Sequence, residues 1–163
     1  MSDLVKAPRD EVLERIERTI ASLKDAEREL ARFKTADLLS EVDSLIGEGV
    51  MAGSVRVHAF RAPAGVGGKE LRDIAQHAKS RAGADNAAVF IGSATTDDSA
   101  AMIVACTPAA IASGARAGEI LGILNSRTGG RGGGKDDMAQ GGGGDLAAID
   151  AAIADVVEAL RAR

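Results

Sequence analysis

Aromatic side chains are nearly missing: the 163 residues include no Trp, no Tyr and only Phe33, Phe60 and Phe90. This leaves no obvious platform for stacking a row of unpaired bases. Cys106 is the only cysteine, which excludes an internal disulfide, a CxxC zinc site and a redox pair and makes a reducing compartment the simplest setting. No apolar run approaches the roughly 20 residues that a membrane-spanning helix needs. The opening Met1–Arg9 also lacks the basic and apolar regions of a secretory signal, so the expectation is a cytoplasmic chain with no membrane contact. The Met1-Ser2 start fits either a piece of a longer chain or a separate gene. Positive charge is in short supply as well: 20 Lys/Arg against 24 Asp/Glu give a net charge of −4, so attraction to a polyanion cannot be general and must be local. Glycine is abundant. Of 20 glycines, nine fall in the sixteen positions 129–144.

Apolar residues make up 45% of the chain and charged ones 27%, enough for one modest core or a core with an arm. From Pro8 to Lys34 the apolar positions Val12, Ile16, Ile20, Leu23, Ala26, Leu30 and Phe33 recur every three or four residues, the spacing of an amphipathic helix. With Ile16, Leu23 and Leu30 at a positions, Val12, Thr19, Ala26 and Phe33 fall on d, about three heptads of a coiled-coil seam. The candidate seam residues are Val12, Ile16, Leu23, Leu30 and Phe33, which face either a second copy or the same chain. Leu13 and Ile20 widen the stripe. Residues 1–46 hold eight Lys/Arg and eleven Asp/Glu, so the arm is acidic. A second helix is expected over Ala36–Ile46. Gly47, Gly49 and Gly53 then mark a boundary, giving a helical arm at 1–49 and a globular part at 50–163.

Beyond the boundary, short strands and helices alternate. Ser54–Phe60 has a period of two, and Gly67–Arg81 carries Leu71, Ile74, Ala75 and Ala78 at helical spacing. Ala87–Gly92 and Ala101–Cys106 are short apolar runs, which suits strands covered on both faces. The polar stretch Ala94–Ser99 between them is short enough for a hairpin. Thr107-Pro108 is a helix start, with the helix expected to reach Leu124, and Asp145 caps a last helix through Leu160. The fold class is α/β: a helical arm, then a small mixed-sheet domain of at least three strands with a Gly-rich loop.

That loop, 129–144, needs a physical reason, because ordering glycine costs more entropy than ordering any other residue. Clustered glycines let backbone N–H groups approach a ligand without a Cβ in the way. Arg127, Arg131 and Lys135 add three cations, and the helix start after Gly144 also favours phosphate. A disordered linker is the bland alternative, but linkers are mostly Gly/Ser repeats, and this stretch contains Arg, Lys, Asp, Met and Gln. Gly129–Lys135 fits G-x-x-x-x-G-K, yet Asp136 stands where a nucleotide loop places Ser or Thr, and a helix precedes the loop instead of a strand. Nucleotide hydrolysis is not expected.

The stretch GGRGGGKDDMAQGGG, residues 129–143, resembles the signature of the C-terminal part of alanyl-tRNA synthetases, called C-Ala, in the DHH-associated domain family. Asp137-Met138-Ala139-Gln140 is its most discriminating piece, and the resemblance covers essentially the whole chain. It implies a tRNA-binding module that docks the elbow of an alanine-accepting tRNA and couples aminoacylation to editing. Its partners would be that tRNA and the catalytic and editing domains of the parent ligase, with homodimerisation through the arm. The implied tRNA contacts are Arg127, Gly130, Arg131, Gly132, Gly133, Gly134, Lys135 and Gln140, with Gln140 either bonding a base edge or ordering the loop. Asp137 would brace the loop. Three engaged cations would give a slope of log affinity against log salt on the order of −2 to −3. No cofactor is implied for this part; ATP, magnesium and zinc would belong to the parent. Two other readings stay open, a purely structural dimerisation module and a DHH-type phosphoesterase accessory domain.

No catalytic centre is expected in the chain. His58 and His77 lack a second ligand or a nucleophile at useful spacing. Cys106 reads as a small buried hydrophobe, and the pairs Asp97/Asp98 and Asp136/Asp137 lack the further carboxylates of a metal site. Arg56, Arg61, Lys69 and Arg72 are surface charges that would extend an RNA-facing surface if they lie beside the loop.

Overall fold

The computed structural model describes residues 9–40, 44, 46–63, 66–95 and 100–163. The Asp97/Asp98 pair lies outside the described residues, as does most of the polar connection before Ala100. The chain divides into two compact units at Asp37–Leu38. Helix α1 runs unbroken over Arg9–Ser40, so the expected break between two helices at Thr35 does not occur. No Gly or Pro interrupts the helix there, and one Thr costs only a fraction of a kcal/mol, about 0.7 at most. Of the remainder of the predicted second helix, Ser44 and Ile46 are helical, and 41–43 and 45 lie outside the described residues. Along α1 the stripe residues Ile16, Leu23, Leu30 and Phe33 are 46–70% exposed, and Val12 is half-buried.

The second unit is built on a six-stranded mixed sheet. Its strands are β1 (Val50–Ala52), β2 (Val55–Arg61), β3 (Ala88–Thr95), β4 (Ala100–Cys106), β5 (Arg131–Gly134) and β6 (Met138–Gly142), in the order β1-β2-β3-β4-β6-β5. Only β2 and β3 pair in parallel. Their crossover is α2 (Gly68–Ala82), which buries Leu71, Ile74, Ala75 and Ala78, the stripe its spacing predicts. These four side chains cover one face of the sheet with Phe60, Phe90 and Ile103. The other face is covered by α4 (Ala117–Thr128) and α5 (Ile149–Arg161), through Leu121, Leu124, Ile149 and Val156 against Val89, Met102 and Val104. Every residue of β4 is buried, as expected for a strand enclosed on both faces. Cys106 belongs to this core, where burial pushes its thiol up to about 12.

Two expectations change and one strand is added. The helix expected from Thr107 to Leu124 is two helices, α3 (Pro108–Ala112) and α4. Thr107 caps the first by accepting from the Ala110 N–H at 3.3 Å, and Gly114 then takes φ +91°, which turns the chain where an L side chain would be strained. The second change concerns 129–144, expected as a loop. Much of it is a β-hairpin on the sheet edge, with β5 paired to β6 and β6 paired to β4. Alternation is read from side chains, and a strand made of Arg-Gly-Gly-Gly has almost none to read. The added strand is β1, whose three residues are too few to show a period.

Candidate nucleic-acid interface

The glycine hairpin is fixed from three sides. Its closing pair is Lys135 and Met138, with the Lys135 N–H donating to the Met138 carbonyl at 2.9 Å, so Asp136 and Asp137 form a two-residue tip. The tip carbonyls are taken up by neighbours: the Ala117 N–H donates to Asp136 O and the Cys106 N–H to Asp137 O, each at 2.9 Å. On the α2 side, the Gln140 amide donates from Nε2 to Gly68 O at 3.0 Å, and Lys79 Nζ lies 3.1 Å from an Asp137 carboxylate oxygen. The Lys79 side chain is only 15% exposed. That ammonium, through its hydrogen bond first, holds the Asp137 carboxyl below the usual carboxylate range.

The register assigns faces. Arg131 opposes Gly142, which opposes Ala101, and Gly133 opposes Gln140, which opposes Ile103. Ala101 and Ile103 belong to the core beneath α2, so Arg131 and Gly133 sit on the α2 face of the sheet. The alternation of an antiparallel ladder then directs the N–H and C=O groups of Gly132 and Gly134 to the open edge. All four residues of β5 are exposed. At Gly132 a Cβ would overlap the Gln140 carbonyl oxygen and the Gly141 Cα, whereas at Gly133 it would meet nothing within 4 Å. Glycine is required at the first position by the partner strand and leaves open space at the second.

The positions implied as tRNA contacts therefore separate. Gly133, Gly134, Lys135 and Gln140 line one groove of about 360 Å³. Arg131 is exposed at the start of the same edge strand, and neither its side chain nor that of Lys135 has a hydrogen bond or salt bridge to a described residue. Gly132 sits on the strand's other face, and Gly130 packs towards Met102 and Asn125. Arg127 lies elsewhere, on α4, where its guanidinium makes two contacts of 2.5 and 3.2 Å with the Asp155 carboxylate. Gln140 has its Nε2 committed to Gly68, which corresponds to ordering the segment.

Arg72, one of four surface charges expected to extend the surface if they lay beside the loop, does lie beside it, and with Gln76, which the sequence did not single out, it forms the opposite wall of the groove. The signal was present in the spacing: Gly68, Arg72, Gln76 and Lys79 fall at i, i+4, i+8 and i+11, one stripe of α2 beside its buried stripe. Asp145, expected to cap the last helix, instead caps the turn Leu146–Ala148 by accepting from the Ala147 N–H at 2.8 Å, and α5 begins after it at Ile149.

A second cavity of about 680 Å³ lies at the β1–β2 side of the sheet and includes Arg56, His58 and Phe90 in its lining. The His58 ring stacks on Phe90 at 5.0 Å and donates from Nδ1 to Gly47 O at 3.2 Å. Burial lowers its pKa despite that bond and so favours the neutral imidazole. Among the described residues no three His, Cys, Asp or Glu side chains are placed to hold a metal ion, and no helix is long and apolar enough to cross a membrane.

Comparison with known proteins gives this arrangement a relationship. The chain is 41% identical over 162 residues, 99% of its length, to the alanine–tRNA ligase of Cutibacterium acnes, of which it spans 18%. Its fold is similar to the C-Ala domain of Aquifex aeolicus alanyl-tRNA synthetase, with a TM-score of 0.62 at 23% identity, covering 70% of this chain and 98% of that one. A DHH-domain structure from a family of ribosomal proteins shares the fold more distantly, with a TM-score of 0.56 at 16% identity over 80% of this chain and 31% of that one. The DHHA1 domain matches residues 52–162, from the first hairpin through the glycine hairpin to the last helix, and the chain belongs to the DHHA1 domain family.

Proposed function

We propose that this chain is the tRNA-binding module of an alanine–tRNA ligase, docking the elbow of alanine-accepting tRNA so that aminoacylation and editing act on one bound molecule. The observation that carries this reading is the edge strand β5. It presents backbone N–H groups with no side chain over them, flanked by Arg131 and Lys135, both without ion-pair partners among the described residues. A folded RNA surface offers phosphates, 2′-hydroxyls and shape to such an edge and requires no aromatic stacking, which fits a chain with three Phe. Kinship with alanine–tRNA ligases along 99% of the chain supports tRNA as the RNA. The parent's ATP, magnesium and zinc would act in other parts of the ligase, and the setting would be the cytoplasm. In this reading 1–49 is the arm and 50–163 the tRNA-binding domain.

The test is a fluorescence titration of the 163-residue chain with alanine-accepting tRNA at several salt concentrations. The wild type should show a slope of about −2 to −3 for three phosphate contacts or fewer. Arg131→Ala/Lys135→Ala should weaken binding and flatten the slope by about two. Undiminished affinity in the double variant removes the hairpin from the RNA site.

A second role, dimerisation through α1, is favoured by the exposure of Ile16, Leu23, Leu30 and Phe33 at a and d positions. Light scattering with and without residues 1–46 tests it. A monomer at high concentration argues against the seam.

A further inference from the structure

We propose that the groove between α2 and the glycine hairpin takes one nucleotide of the bound RNA, its phosphate held between Arg72 and Lys135. This inference rests on the hairpin being an RNA-contacting surface, and it makes that surface two elements wide. Arg72 rises from the second turn of α2 and Lys135 stands at the base of the hairpin tip, and both line the same cavity of about 360 Å³. That size lies within the range of about 300–1,000 Å³ seen for cavities that hold small ligands, and it exceeds what a lone phosphate ion would fill. Neither cation has a hydrogen bond or salt bridge among the described residues, unlike Arg127, Arg116 and Arg61, which face carboxylates.

Among the described residues that line the groove, Asp137 is the one carboxylate. Lys79 is its partner at contact distance, 3.1 Å away, and Lys135 acts on it more weakly from beyond ion-pair distance, so Arg72, Lys79 and Lys135 together outnumber it and the groove's net charge is positive. Gly133 lines the cavity too, with open space where a Cβ would stand, and Met138 lies beside it. A ribose can lie flat on such a surface, with the Gln76 amide within the same wall. The width of the groove is set before any ligand arrives: the Gln140–Gly68 bond fixes one end and the Lys79–Asp137 pair the other. A cleft fixed in advance loses little binding free energy to ordering.

The experiment is a double-mutant cycle on the 163-residue chain, reading affinity and salt slope for alanine-accepting tRNA. Arg72→Gln and Lys135→Gln are each expected to weaken binding about tenfold, as for one hydrogen-bonded charge. Because they share a phosphate, the double variant should lose clearly less than the hundredfold product, whereas Arg72→Gln with Arg131→Gln should be multiplicative. Arg72 is exposed, and unchanged melting curves of the variants confirm that the fold is intact. If Lys135→Gln weakens binding while Arg72→Gln matches the wild type, the groove is overturned and the hairpin reading stands. Full multiplicativity of Arg72→Gln and Lys135→Gln overturns the shared phosphate. Absence of tRNA binding by the wild type overturns both proposals together.

Discussion

Two hairpins in the same sheet are held by opposite means. In the β3–β4 pair, seven of the eight β3 residues and all seven of β4 are buried, and side chains on both faces lock the strands between helices. In the β5–β6 pair, the outer strand is wholly exposed and nearly bare of side chains. Position there is set by backbone bonds to Ala117 and Cys106, by Gln140 and by the sheltered ammonium of Lys79. The first hairpin supplies stability and leaves no surface to offer. The second contributes little burial and keeps its outer face and its edge N–H groups free for a ligand. One sheet thus separates the strands that stabilise it from the strand that remains open at its edge.

The contrast is broken most strongly in the interior. Ile103→Ala removes a fully buried side chain from β4 and should cost about 2–5 kcal/mol, read by urea denaturation; a loss under about 1 kcal/mol would mean that β4 is not the core strand described. Next come the glycines. Gly132→Ala places a methyl against the backbone of β6 and should destabilise by about 1–3 kcal/mol. Gly133→Ala meets open space and should stay within about 0.5 kcal/mol of wild type, yet weaken tRNA binding because the methyl stands in the groove. Equal stability losses in the two variants would contradict the face assignment. The smallest effect concerns the tip. The Asp137 pKa is lowered in the fold, so its contribution is present above the unfolded carboxylate pKa of about 3.9 and is lost as pH falls through the lower folded value. The wild type should melt slightly above Asp137→Asn at pH 7, and the gap should narrow as pH falls through the folded value; a gap that does not narrow in acid would show that the pair is not its source.

How far the sequence reveals this depends on where side chains report on structure. The stripe Leu71, Ile74, Ala75 and Ala78 and the Thr107-Pro108 cap are written in residue types, and each is found where its pattern places it; in β2 the expected period of two holds for Val55 and Val57, but Ala59, the next position of that period, is exposed and Phe60 is buried on the α2 face instead. The hairpin at 131–142 is not written in residue types, because glycine carries no face. Arg127 and Arg131 are equivalent in sequence, but a carboxylate 28 residues away occupies the former. Arg72 and Gln76 join the site only through the α2 crossover, which brings a helix from one half of the domain onto a strand from the other.

The most direct measurement is amide hydrogen exchange of the 163-residue chain with and without alanine-accepting tRNA. Gly132 and Gly134, whose N–H groups face the open edge, should exchange quickly alone and slow on binding, while the buried amides of β3 and β4 stay unchanged. If tRNA binds and these two glycine amides exchange as before, the glycine edge is not the contact surface.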